Sequence, residues 1–484
     1  MTSHVPGRGA SDDDIIVRVP VQHKGLAKSM QALVNHVVAQ EQSAVGGRAV
    51  DYGKVEDRVA ADVAAIERES HAGILRSLEI DAPTVTIGGK LHVRIGDGDG
   101  VFKTLSGPVS VRRALYRPTE ERNGKVVDAI TLRTGAIGRG WLPRTAQAIA
   151  NEMQRSPSRE AASSAKQTGK LPYSAKSFDR VAHLVGTEWV AHHADIEDRM
   201  TEIHNLPESA AIISASVDRV SVPMAEPRPK PAGRPRRNAP KRPVEVKWRM
   251  AYCAALTIYD EDAEVLSTLR FGCMPKQDAK LLCDLMANDA YILKQKCPRL
   301  KLVLLADGAQ EMWNLLEGSF PEDVFGKRTR LVDFWHLMEK LAPAAKLIYG
   351  EKEGTATFHR WKSALRKRKS SADEILGELQ SSGCEWTSKD AKQPVHEAIT
   401  YIENHRDRLF YASARRQHLP IGSGSAEATC KCLATMRMKR PGARWHEETG
   451  EHILKLRALA CSDRWDSGMA LLHAQRRTAV RKAA

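Results

Sequence analysis

Asp218, Asp307 and Glu427 are acids placed where chemistry explains them better than local structure does. Asp218 interrupts the alternating run Ala211-Ile212-Ile213-Ser214-Ala215-Ser216-Val217, which resumes as Arg219-Val220-Ser221-Val222. Aspartate is a poor strand residue. Asp307 follows the aliphatic run Leu302-Val303-Leu304-Leu305 and precedes Gly308. Ligand sites in α/β sheets lie at such carboxyl ends of strands, although an Asp-Gly there also reads as a turn or a cap. Glu427 sits where Gly422-Ser423-Gly424 runs into a helix. Its neighbours at i−4, i+3 and i+7 are Ser423, Cys430 and Ala434, small enough to let the helix approach a sheet. It would also favour the helix start through the dipole. Metal-assisted phosphodiester chemistry needs carboxylates converging on two Mg²⁺ ions roughly 4 Å apart, and short hard-oxygen side chains suit that ion. Competing acids fit less well: Asp260 and Asp262 belong to a hairpin turn, Asp333 ends a different strand, and Glu447, Glu448 and Glu451 belong to a helix with surface patterning.

The elements that must hold these acids follow in a readable order after residue 205. Val246–Tyr259 and Glu264–Phe271 read as a hairpin, Lys276–Lys294 as a helix and Arg299–Ala306 as a buried strand. A helix with Met312, Leu315 and Leu316, the strand Thr329–Val332 and a helix from Trp335 complete β-β-β-α-β-α-β-α. That order fits an RNase H-like α/β core with a mixed sheet and flanking helices. The core is expected in two segments, 205–350 and 418–475, the latter carrying Glu427, with an α-helical insertion at 351–417 between them. Ahead of it lie a disordered tail at 1–22, a helical region at 23–80, a small β module at 81–140, and a helical region with helix-turn-helix spacing at 141–204.

The chain of 484 residues carries 74 Lys+Arg against 59 Asp+Glu, a net charge of +15, which favours a polyanionic partner. A Pro-rich loop at 226–245 concentrates Arg234, Arg236, Arg237, Lys241 and Arg242 and suits a phosphate backbone as well as a solvated linker. No run approaches a membrane span, and the acidic start lacks a secretory h-region, so a cytoplasmic protein is expected. The 8 cysteines include no C-x2-C pair, which signals reduced thiols rather than a disulfide framework or zinc finger.

Several spaced motifs over about 205–470 resemble bacterial insertion-sequence transposases of the ISKra type. They are Asp307-Gly308-Ala309 with Met312-Trp313-Asn314, Leu331-Val332-Asp333-Phe334-Trp335-His336, Pro420-Ile421-Gly422-Ser423-Gly424 through Glu427 and Lys431, and Gly442-Ala443-Arg444-Trp445. The resemblance implies a DDE transposase that cleaves and joins DNA strands, with Asp218, Asp307 and Glu427 holding two Mg²⁺ ions and Mn²⁺ able to substitute. It implies a bacterial, nucleoid-associated protein acting on double-stranded transposon ends and target DNA, as a homodimer or higher oligomer. Asp333-Phe334-Trp335-His336 is similar to a [CD]-x2-H motif beside the active site, which gives His336 a catalytic role; the alternative is a histidine at a helix start capped by Asp333. Lys431, Arg437, Lys439 and Arg444 are expected to bind phosphate, or else are solvated helix charges. Trp445 is expected either to stack on a base or to pack in the core. The β module has no cysteines for a zinc ribbon, so end recognition falls to 143–195 or to dimerisation. A transposase-derived DNA-binding protein without catalysis, or a structure-selective RNase H-like nuclease, is the alternative.

Overall fold

Apolar residues three and four apart carry the chain into two long helices, α1 (Lys24–Ala44) and α2 (Tyr52–Ser77). The computed structural model describes residues 17–45, 47, 49–227, 244–382 and 394–483. It divides into two units, residues 1–188 with 469–484 and residues 189–468. Most of the expected tail and most of the basic loop, including Arg234, Arg236, Arg237, Lys241 and Arg242, lie outside the described residues.

In the first unit, β1 (Thr84–Ile87), β2 (Lys90–Thr104) and β3 (Gly107–Pro118) form an antiparallel meander. Val480–Lys482 pairs on the free side of β1 and makes it four-stranded. Phe102, Val109, Val111 and Ile130 pack with Ala72 and Leu75 of α2. Asp128 caps α3 (Ala129–Thr134) by accepting the Thr131 amide at 2.7 Å. Then come α4 (Pro143–Arg155), with proline at its start, α5 (Ser158–Gln167) and α6 (Ala175–Ile203), whose residues after Glu188 belong to the second unit.

The second unit is built on a five-stranded mixed sheet in the order β6-β5-β4-β7-β8. Its strands are β4 (Ile212–Pro227), β5 (Val244–Tyr259), β6 (Val265–Cys273), β7 (Lys301–Ala306) and β8 (Arg328–Val332). β4, β5 and β6 run antiparallel, whereas β7 lies parallel to both β4 and β8. Leu302 through Ala306 are all buried, as parallel strands covered on both faces must be. The helices are α7 (Ala279–Lys296), α8 (Gln310–Ser319), α9 (Glu322–Phe325) and α10 (Phe334–Lys367). They continue with α11 (Ser371–Ser382), α12 (Pro394–His405), α13 (Tyr411–Arg416) and α14 (Gly424–Cys430). A π-helical turn, Lys431–Thr435, leads into α15 (Met436–Met438), and α16 (Glu447–Cys461) follows.

α10 is two arms. Gly350, at φ 76° and ψ 177°, reverses the chain between 334–349 and 351–367, a conformation open to glycine alone among the common residues. Residues 351–417 do not form a separate core: Leu365, Ile375, Leu379, Val395 and Ile402 belong to the same apolar cluster as the sheet. All seven described cysteines are free.

Candidate active site

β7 and β8 end level with one another, beside a point partway along β4, which runs on to Pro227. Ser216 pairs with Leu305 and Ala306 with Val332. Carried forward by two residues on β4 and β7 and by one on β7 and β8, the register sets Asp218, Asp307 and Asp333 side by side. Adjacent strands are about 4.8 Å apart, so this is a row of carboxylates on one edge of the sheet. Asp333 was ranked below the triad as a ligand because it ends a different strand, while its motif was expected beside the active site. Its strand is the next one over, and sheet order makes it a neighbour of Asp307.

The three differ in what they are bonded to. Asp333 is fully buried and caps α10, accepting the Trp335 and His336 amides at 2.6 and 2.9 Å through Oδ1. Its Oδ2 accepts the Ser423 hydroxyl at 2.8 Å and the Ser423 amide. Burial raises this carboxyl, but the bonds from His336 and Ser423 outweigh it and hold the group at about 2. Asp218 is half-buried; its Oδ1 takes the Arg219 amide at 2.6 Å, and its Oδ2 meets only the Cys430 thiol, at 3.6 Å. Burial pushes its pKa up, and the nearby Asp307 charge adds to the rise. Asp307 Oδ1 accepts the Ala309 amide at 3.0 Å. Gly308 beside it lets α12 come close: a Cβ there would lie 2.6 Å from Tyr401 Cε2 and 2.7 Å from His405 Nε2.

Glu427 reaches this row from above. Its helix α14 lies along β4, with Ser425 Oγ 3.2 Å from Ser216 Oγ and the Cys430 thiol on Asp218. Ser423, the residue before α14, is the one Asp333 holds, and the Phe334 amide donates to Ile421 O at 3.0 Å. The glycine-serine turn is therefore tied to the end of β8. The Glu427 side chain is exposed, without an ion-pair or hydrogen-bond partner among the described residues. One ligand atom from each of Asp333, His336 and Glu427 lies within 4.8 Å of the others; Asp218 and Asp307 are outside that set. His336 Nδ1 is 3.4 Å from Asp333 Oδ1, and this carboxylate lifts the imidazole to about 9 against the opposing effect of burial. At neutral pH an imidazolium thus stands between two carboxylates.

The sequence singled out Asp-Phe-Trp-His but not its tryptophan. Trp335 is 48% exposed beside Gly422, and the returning arm of α10 sets Lys362 Nζ 4.5 Å and Arg366 Cζ 5.4 Å from its ring centroid. Neither cation has a carboxylate partner among the described residues. The i, i+4 spacing of the pair was legible; the reversal at Gly350 that delivers it was not.

The remaining expected residues fall differently. Lys431 and Arg444 are exposed and Lys439 is half-buried. Arg437, expected on phosphate, is only 5% exposed and lies over Trp445, 5.0 Å from the ring centroid. Trp445 pairs with the far end of β4: its amide donates to Pro223 O at 2.9 Å and its carbonyl accepts the Ala225 amide at 2.8 Å. Its indole N–H donates to Met438 O at 3.1 Å, so the packing role weighed for it has its partners. Glu451, read as a surface acid, is 6% exposed and accepts the Met274 amide at 2.8 Å.

The fold and site thus define a mixed α/β protein with an acid row at the carboxyl edge of its parallel strands. No family model matches the chain, and no curated protein matches it. Among solved structures it is similar to the Mos1 transposase paired-end complex with left transposon end, at 12% identity, over 56% of this chain and 78% of that one, with a TM-score of 0.16. It is also similar to a pre-cleavage Mos1 transpososome, at 12% identity over the same shares, with a TM-score of 0.14.

Proposed function

We propose that the protein is an insertion-sequence DNA transposase of the ISKra type, with an RNase H-like core and an Asp218–Asp307–Glu427 triad. One observation carries this reading. Asp218, within β4, stands level with Asp307 just past the end of the neighbouring β7, while the helix bearing Glu427 is docked along the strand of Asp218. The donor set fits hard divalent cations, two Mg²⁺ with Mn²⁺ as substitute. Asp218 Oδ2 has only a thiol donor, and Glu427 has no partner among the described residues, so oxygen lone pairs remain for ligation. Asp333 has its oxygens committed to amides, a hydroxyl and His336, which suits it to holding the site rather than the ions. When bound, such ions supply charge neutralisation and a nucleophile at neutral pH.

The protein's own groups position the DNA. The His336 imidazolium and the cations Lys362 and Arg366 offer charge to a phosphate, and Trp335 offers a face to an unpaired base. Phosphoryl transfer asks little covalent chemistry of side chains and much placement of charge. Asp218→Asn, Asp307→Asn and Glu427→Gln are each expected to abolish cleavage of a duplex carrying the DNA that flanks the gene, and joining of its pre-cut end, while binding persists. Any one of them cleaving at the wild-type rate would remove that residue from the triad. Cleavage by the wild type without joining would make it a nuclease.

A further inference from the structure

The N-terminal unit holds a cleft of about 720 Å³ that the proposed chemistry does not use. Lys103, Arg113, Lys125, Arg139 and Arg476 line it, against the acids Asp128 and Glu188. Both acids are already engaged. Asp128 pairs with Arg113 and caps α3, and Glu188 pairs with Arg476 at 2.5 Å. Lys103, Lys125 and Arg139 have no carboxylate partner among the described residues. Lys103 Nζ instead donates to the carbonyls of Val101, at 3.0 Å, and Arg139. Arg113 Nε is buried and without a partner. Burial and the charges of Arg113 and Arg139 push the Lys103 ammonium down. Cations crowded in this way repel one another, and an anion relieves them.

We propose that this cleft binds phosphate groups of the DNA backbone through cations that lie outside the helices expected to recognise DNA, beside the Leu184–Glu188 stretch of α6. Phosphate is the chemistry that three cations without a carboxylate partner among the described residues recognise in a cleft; the choice of DNA over a free phosphate compound rests on the function proposed above. Arg139 and Lys125 have side chains at the surface, so truncating them leaves the fold intact.

The test is binding of a fluorescent duplex to the full-length protein, by anisotropy, across a KCl series without divalent metal. Each neutralised phosphate contributes about 0.9 to the slope of log affinity against log salt. The double variant Arg139→Ala/Lys125→Ala is expected to lose roughly two units of slope with its melting temperature unchanged, and Lys103→Met to lower the slope further. A slope equal to wild type overturns the proposal. If inorganic phosphate raises the melting temperature of wild type but not of the double variant while the slope is unchanged, the cleft serves a free phosphate compound, and the DNA assignment is overturned. The assay reads binding without cleavage and without divalent metal, so failure of the catalytic reading would leave this result standing.

Discussion

At the scale of single residues, His336 divides two carboxylates that share it unequally. Asp333 is buried and fully bonded, whereas Glu427 is exposed and open. The imidazole is held at about 9 against an ordinary 6.5, so its contribution to stability is fully present below 6.5 and lost as pH rises through 9. Asp333, at about 2 against 3.8, contributes fully above 3.8, and that is lost as pH falls through 2. Asp333→Asn removes the anion that sustains the imidazolium. The His336 resonance, followed by NMR, should then titrate near or below 6.5 rather than about 9, and an unchanged midpoint would show that Glu427 holds the charge instead. Trp335→Ala should weaken binding of DNA with an unpaired nucleotide by about 1–3 kcal/mol, with Trp335→Phe recovering most of it and fully paired duplex affected less. Equal loss on both DNAs would make Trp335 a packing residue only.

At the scale of elements, burial of charge decides how α6 and α7 are held to the segment that follows α16. The Asp289 carboxylate and Arg464 guanidinium are both buried, 3.1 Å apart, and Thr201 Oγ1 donates to Asp289 at 2.7 Å. Burial raises Asp289 to about 6 although Arg464 and Thr201 oppose it. Its effect on stability therefore runs against that of Asp333: most favourable below 3.8 and lost as pH rises through 6. Removing one partner strands the other charge. Arg464→Ala should cost about 3–5 kcal/mol in urea unfolding, and a loss below about 1 kcal/mol would mean that water reaches the pair. Elements of this kind were legible where composition alone sets them. The aliphatic run of β7, the alternation of β4 and the acidic turn between β5 and β6 needed no partner to be recognised. That Asp333 lies beside Asp307 was not legible for the opposite reason, since it depends on which strands lie beside one another. Val480–Lys482 is too short to signal a strand, and becomes one only by pairing with β1, from the far end of the sequence.

At the scale of the whole molecule, the chain leaves its first unit near residue 188 and re-enters it near 469. The Thr478 amide donates to Leu132 O at 2.9 Å and the Ala483 amide to Thr84 O at 3.2 Å. A chain ending at Arg477 should lose this strand. Calorimetry should then show the transition of the first unit moving down while that of the second stays in place; a common shift of both would mean that the units unfold together. Among the described residues no helix is long and apolar enough to cross a membrane.

The tie between Asp333 and Ser423 has a consequence for how such a chain can change. Everything between Phe334 and Gly422 departs from and returns to one knot of hydrogen bonds. The entropy of closing a loop grows only with the logarithm of its length, about 0.6 kcal/mol for each doubling. Residues added at exposed turns of that excursion, away from the helices that share the core of the sheet, therefore weaken the knot very little. Glu427 keeps its station beside the acid row while such turns are free to lengthen or acquire new surfaces.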